Sequence, residues 1–204
     1  MDLLSPASLT ELAEEAKTCQ RCPLFAHATQ TVFGEGNIHA PLVIVGEQPG
    51  EQEDLAAHPF IGPAGRLLDR ALAEAGIDRS KAYVTNAVKH FKNEPRGKKR
   101  LHKTPTAREI EICRWWLDQE LALIEPDLII ALGTSAARGI GLRGVTIREL
   151  RGQIIDLGEA RKGLLTVHPS FLLRLPDEEA KRREYAAFVA DLTVAAKAVP
   201  AARI

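Results

Sequence analysis

Over 204 residues, 27 Lys and Arg balance 27 Asp and Glu, so no global field draws the chain to nucleic acid or to a membrane. A hydrophobic share of 45% and a charged share of 26% suit an ordinary globular protein, expected as a single domain over 1–204 with ample core. No apolar run reaches the ~20 residues of a membrane span, and the acidic start Met1-Asp2-Leu3-Leu4 is no signal peptide, so a cytoplasmic protein is expected, taken by default as a monomer.

Leu9, Leu12, Ala13 and Ala16 recur at helical spacing behind Ser8, which predicts a first helix ending near Cys19. Pro41-Leu-Val-Ile-Val-Gly46 is a continuous apolar run of the kind buried in parallel sheets. Gly62-Pro-Ala-Gly65 opens a helix with Leu67, Leu68, Ala71, Leu72 and Ala75 on one face, closed by Gly76. Ala82–Asn86 reads as a second strand. A long irregular stretch follows from about His90 to Lys103, and an excursion of that size inside a compact domain is usually functional or disordered. Thr104-Pro105 is read as a cap with proline at the first helical position, starting a helix with Ile110, Cys113, Leu117, Leu121 and Ile124 inward. Pro126 ends it. Leu128–Leu132 is the third strand and Gly163–Val167 the fourth, and a last helix spans 178–198 with Tyr185, Phe188, Val189 and Leu192 on its apolar face. This alternation predicts a three-layer α/β/α sandwich around a mainly parallel four-stranded sheet.

Ligands of such sheets bind beyond the carboxyl ends of the strands. Those ends carry Gly46-Glu47-Gln48-Pro49-Gly50, Asn86, Gly133-Thr134-Ser135 and His168-Pro169-Ser170. Singly, a polar residue there often just caps a loop or helix. Together with Phe60, they predict a pocket for a planar polar ligand. An Asn amide presents donor and acceptor side by side, a phenyl face stacks, and a histidine donates to an oxygen gaining charge. Between Arg96 and Lys103 five basic residues surround His102. Such a run is often only a solvated loop or a targeting tag, but it also suits a phosphate backbone with an imidazole placed beside it.

Gly46-Glu-Gln-Pro-Gly50, His58-Pro-Phe-Ile-Gly-Pro-Ala-Gly-Arg66, Val84-Thr-Asn86 and His168-Pro-Ser170 resemble, in order and spacing, the iron–sulfur type of the uracil-DNA glycosylase superfamily. The resemblance runs from about Cys19 to Leu192 and is nearest to the UdgX branch, whose members become covalently bonded to DNA at uracil. It implies that Phe60 stacks on a flipped uracil and Asn86 reads its Watson–Crick edge. Gly46 and Ser170 line the same pocket, His168 supports the O2 oxygen, and Glu47 and Gln48 lie near the sugar. The branch's Lys-Arg-Arg-Ile-His loop reads Lys98-Lys99-Arg100-Leu101-His102 here, with Lys99 and Leu101 as departures. By that likeness His102 is the covalent nucleophile and Arg100 steadies its loop, while Lys92, Arg96, Lys98, Lys99 and Lys103 face phosphates. The partner implied is uracil-containing DNA, single- or double-stranded, with no protein partner inferred. His58 reads as a loop hydrogen-bonding residue. A conventional glycosylase that turns over with water, and a non-catalytic DNA-binding module, remain the competing readings.

The three cysteines, an odd number, fit a reducing compartment. Cys19-x-x-Cys22 has the spacing of a metal or redox site, and Cys113 reads equally as a small hydrophobe on the inward face of its helix. The resemblance places a further ligand after the Asn-bearing strand, where this chain has His90. A site of Cys19, Cys22, His90 and Cys113 follows. The ligand set permits Zn²⁺ as readily as iron; the resemblance implies a [4Fe–4S] cluster.

Overall fold

A computed structural model of the chain describes residues 8–97, 99–158 and 161–200. In chain order the elements are α1 (Leu9–Ala16), β1 (Glu35–Gly36), β2 (Leu42–Gly46), α2 (Glu51–Ala56), α3 (Pro63–Glu74), β3 (Tyr83–Asn86), β4 (Asn93–Arg96) and β5 (Lys99–His102). They continue with α4 (Ala107–Ile124), β6 (Leu128–Leu132), α5 (Thr134–Gly139), α6 (Ile147–Leu150), β7 (Ile154–Gly158), β8 (Arg161–Thr166), α7 (Pro169–Arg174) and α8 (Glu178–Ala198).

β3, β2, β6 and β8 lie parallel and side by side, wholly buried except at the start of β8. Their side chains alternate between two cores, as the period of a strand requires. Val43 and Val45 of β2 meet α1, α4 and α5, whereas Leu42 and Ile44 meet α3, α7 and α8. Three layers result, with the expected four strands at the centre.

The sheet nevertheless has six strands, in the order β1-β3-β2-β6-β8-β7, with β1 and β7 added antiparallel at the edges. β1 is only two residues long, and β7 alternates exposed with half-buried positions, so neither leaves the apolar run that marks a central strand. The first helix stops at Ala16, with Lys17 as its C-cap, earlier than the expected end near Cys19. The α4 helix begins not at Thr104-Pro105 but at Thr106. There the Thr106 hydroxyl accepts the Glu109 N–H and the Glu109 carboxylate accepts the Thr106 N–H. That capping box satisfies two groups at the helix entry and outweighs a proline at the first position.

The stretch expected to be irregular is a hairpin. β4 pairs antiparallel with β5, from Asn93 opposite His102 to Arg96 opposite Lys99, and Gly97 follows β4 at φ +60°. The ribbon is polar on both faces and contains Pro95, so it carries no hydrophobic alternation. No described helix is long and apolar enough to cross a membrane.

Candidate active site

A cleft of about 540 Å³ opens over the carboxyl ends of β2 and β3, with Gln48, Phe60, Asn86, His102, His168, Ser170 and Arg174 among its lining residues. Gly46 ends β2 directly opposite Asn86, the last residue of β3. Phe60 sits at φ +59°, a left-handed conformation that strains a non-glycine residue by roughly 1–3 kcal/mol. Gly65 makes the turn possible, because a Cβ there would run into the Phe60 carbonyl. The Glu53 carboxylate accepts the N–H of Gly62, the residue capping α3, at 2.9 Å and so fixes the other end of the loop. The Phe60 ring lies 6.5 Å from that of His168 in a stacked pair. His58 Nδ1 donates to the Glu35 carboxylate at 2.8 Å, the loop hydrogen bond its position suggested.

His168 holds one tautomer. Its Nδ1 accepts the Ser170 N–H at 3.2 Å and faces the Ser170 hydroxyl at 2.8 Å, which places the ring proton on Nε2. Desolvation, reinforced by Arg174 and His102, lowers its pKa to about 4. At neutral pH it is therefore an uncharged donor.

His102 comes from the hairpin. Arg100 and His102 leave β5 on the same side, since side chains alternate along a strand. His102 Nε2 stands 3.5 Å from Glu47 Oε1, and the other Glu47 oxygen accepts the Ser135 hydroxyl at 2.6 Å. Burial lowers the His102 pKa below its usual 6.5, the Glu47 carboxylate pulls it up, and the Arg174 guanidinium pushes it down again. The imidazole is consequently neutral at pH 7. Any reaction that needs its lone pair should be flat through neutral pH and fall only in acid below the ordinary histidine range. An acid limb centred at or above 6.5 in a rate–pH profile would contradict this.

Two anchors fix the hairpin. Gln48 donates to the carbonyls of Lys92 (3.3 Å) and Lys103 (3.1 Å) and accepts the Lys92 N–H (3.0 Å), clasping both strands at the base. Its amide is thus engaged by backbone rather than free for the sugar. Arg100 donates to the wholly buried Asp54 (2.6 Å), to the Thr29 hydroxyl (3.1 Å) and to Glu51 (3.3 Å), and lies 5.3 Å above the Phe91 ring.

The five basic residues expected to face phosphates separate into groups. Lys92 is paired with Glu109 at 2.9 Å and Lys103 with Glu94 at 2.6 Å. Arg96 and Lys99 face each other across the hairpin and are exposed. Lys98 lies outside the described residues. Ser135 was expected at the site only as part of the strand-end Gly133-Thr134-Ser135, and Asp54, Glu53 and Arg174 were not expected there; of these three, Arg174 alone carried a signal, four residues beyond Ser170 on one helix.

Cys19, Cys22 and Cys113 are free and buried in one core cluster, on the α4 side of the sheet. The Trp116 indole N–H donates to Cys19 Sγ and the Lys89 backbone N–H to Cys113 Sγ, both at 3.2 Å. Burial pushes the Cys113 thiol up to about 12, and the charges of Cys22 and Cys19 add to that rise. His90 is buried, and its Nδ1 has no hydrogen-bond partner among the described residues. Among the described residues no group of three or more His, Cys, Asp or Glu is gathered so as to hold a metal ion. The donor chemistry, three soft sulfurs and an orphaned imidazole nitrogen, nonetheless suits a metal group.

Fold and cleft define a class: an α/β protein with a cleft at the carboxyl edge of its parallel strands, beside a hairpin rich in Arg and Lys. Comparison with known sequences narrows it. The family model of the uracil DNA glycosylase superfamily matches residues 33–193. The chain is similar to the type-4 uracil-DNA glycosylase of Thermotoga maritima, 40% identical over 172 residues that cover 84% of this chain and 86% of that one. It is also similar to the type-4 enzyme of Archaeoglobus fulgidus, 35% identical over 185 residues covering 87% and 88%. The chain belongs to the uracil-DNA glycosylase superfamily.

Proposed function

We propose that the protein excises uracil from DNA and becomes covalently joined to the resulting sugar through His102, as in the UdgX branch. The observation that carries this reading is the neutral His102 imidazole at the cleft, 3.5 Å from Glu47, on a hairpin clasped by Gln48 and Arg100. The base leaves the stack at a cost of a few kcal/mol and enters between Phe60 and Asn86. The C1′–N1 bond breaks with its electron pair going to uracil N1, and His168 Nε2–H steadies the charge reaching O2. One ring nitrogen of His102 then gives its lone pair to C1′ ahead of water, because a well-held group acts at an effective concentration of about 10⁵–10⁸ M. The other ring nitrogen passes its proton to Glu47, directly or through a water. Gln48 acts in this scheme by holding the hairpin.

Uracil-containing single-stranded DNA mixed with wild type should give a denaturation-resistant protein–DNA band, and His102→Gly should release abasic DNA instead. Free abasic DNA from the wild type, with no such band, would sink the covalent reading and leave a turnover enzyme. Arg96 and Lys99 serve as phosphate contacts, so neutralising either should reduce the log–log salt slope of DNA binding by about 1 without changing base selectivity.

Cys19, Cys22, His90 and Cys113 hold a [4Fe–4S] cluster on this reading, a structural group that fastens the segment leading into the hairpin. The support is the shared burial of three free thiols, N–H donors at two of the sulfurs, and the unpartnered His90 nitrogen. Protein purified under nitrogen should be brown with equal amounts of iron and sulfide. A colourless sample carrying zinc would refute the assignment.

A further inference from the structure

Behind the cleft wall Lys89 and Glu120 form an ion pair at 2.6 Å, with both side chains wholly shut off from solvent. Such a pair adds little net stability, because desolvating two charges costs about as much as their attraction returns. Well-packed apolar residues would serve the core equally well. What the pair does locally is specific. The Lys89 ammonium donates to Glu120 Oε2, to the Thr85 hydroxyl at 2.5 Å and, at 2.9 Å, to the main-chain carbonyl of Asn86. Glu120 in turn accepts from Gly34 N–H, the Tyr83 hydroxyl and the Thr85 hydroxyl.

The peptide unit joining Asn86 to Ala87 is therefore held at both ends. Its carbonyl takes the ammonium of Lys89, and its N–H donates to the Gly46 carbonyl at 2.9 Å. That peptide sets the backbone angle from which the Asn86 side chain enters the cleft, and a hydrogen bond to a charged donor resists its rotation more than a neutral one does. An amide that must match donor and acceptor to a base edge tolerates little such rotation. We propose that Lys89 is a positioning residue for base recognition, fixing the angle of the Asn86 amide from behind the sheet. This rests on the reading of the cleft as a uracil site.

Lys89→Met alone would strand the buried Glu120 charge, and misfolding is expected. The informative variant is Lys89→Met with Glu120→Gln, in which glutamine still accepts from Gly34 and Tyr83 and donates to Thr85. Full-length samples matched in metal content would be compared for thermal unfolding and for inhibition of uracil excision by free uracil. The double variant should unfold close to wild type, whereas uracil inhibition weakens about tenfold to a hundredfold, as for a lost charge-assisted hydrogen bond. Its affinity for DNA lacking uracil should not change. Tyr83→Phe removes a bond on the far side of Glu120 and leaves the Lys89–Asn86 contact, so it should lower stability and keep wild-type inhibition. Wild-type inhibition in the double variant overturns the proposal, as does an equal weakening in Tyr83→Phe, which would make the network merely structural. Wild-type protein that excises no uracil would instead remove the underlying reading of the cleft, a result visible in the control of the same assay.

Discussion

Gly46→Ala should lower the single-turnover rate of uracil excision by about a hundredfold or more and leave DNA binding nearly intact. A Cβ at this position would meet Asn86 Oδ1 and, at 2.6 Å, Phe60 Cζ. Neither neighbour is free to retreat. Asn86 is clamped through its peptide by Lys89 and Gly46, and Phe60 is committed to φ +59° by the tight approach of Gly65. The methyl group consequently takes up the space between the Phe60 ring and the Asn86 amide, where the proposed reading puts the base. Overpacking of this kind costs about 1–3 kcal/mol in stability, and a displacement of about 1 Å in a catalytic arrangement costs on the order of a hundredfold in rate. On the proposed reading, affinity for DNA resides in the hairpin charges, remote from the methyl group. The check is a rapid-quench excision assay beside a binding titration. Activity within tenfold of wild type would mean that the base does not lie between Phe60 and Asn86.

The parts of the fold that announce themselves in sequence are those with a single dominant period. β2 and β6 are apolar at every position because both faces are covered, and α3 shows its inward stripe between a proline start and Gly76 at φ +78°. The edge strands and the hairpin obey other constraints. β1 is held by a two-residue register with β3, and the hairpin by backbone pairing plus Gln48, whose partners lie 44 and 55 residues away. No local pattern encodes contacts at that range.

The candidate site divides in the same way. Gly46, Asn86 and His168 were legible because strand ends in a parallel sheet converge by topology. The lysines assigned to phosphates by charge alone fall into two kinds. Lys92 and Lys103 look identical to Lys99 in sequence, yet they pair with Glu109 and Glu94. Arg174 reaches the cleft from α7, four residues beyond Ser170, with whose hydroxyl it bonds at 3.2 Å. The helical period could have suggested it. Lys89 gave no signal at all, since a lysine in a sequence reads as a surface residue until its burial is known.

Arg100→Met should separate base release from covalent capture. Arg100 fastens β5 to α2 through Asp54, with Thr29 and Glu51 as further acceptors, and its loss leaves the buried Asp54 carboxylate, among the described residues, with the Thr29 N–H bonds at 3.0 and 3.1 Å. Removing one partner of a buried charge of this kind is expected to cost about 1–3 kcal/mol of stability, moderated by the partial exposure of Arg100. The functional effect should be larger. On the proposed covalent reading, capture by His102 depends on the imidazole waiting within reach of C1′, and an effective concentration of about 10⁵–10⁸ M shrinks steeply once the strand bearing it can sway. Phe60, Asn86 and His168 are carried by other elements, so departure of the base should persist. The expected result is a fall of roughly a hundredfold or more in adduct formation, with free abasic DNA accumulating as water takes the place of the histidine. Arg100→Lys should recover only part of the loss, because a point charge cannot reach three acceptors as the guanidinium fork does. A denaturing gel resolving adduct from alkali-cleavable abasic strand measures both products in one lane. If adduct and abasic product decline in step, the hairpin belongs to the excision machinery itself and the division of labour proposed between pocket and hairpin is wrong.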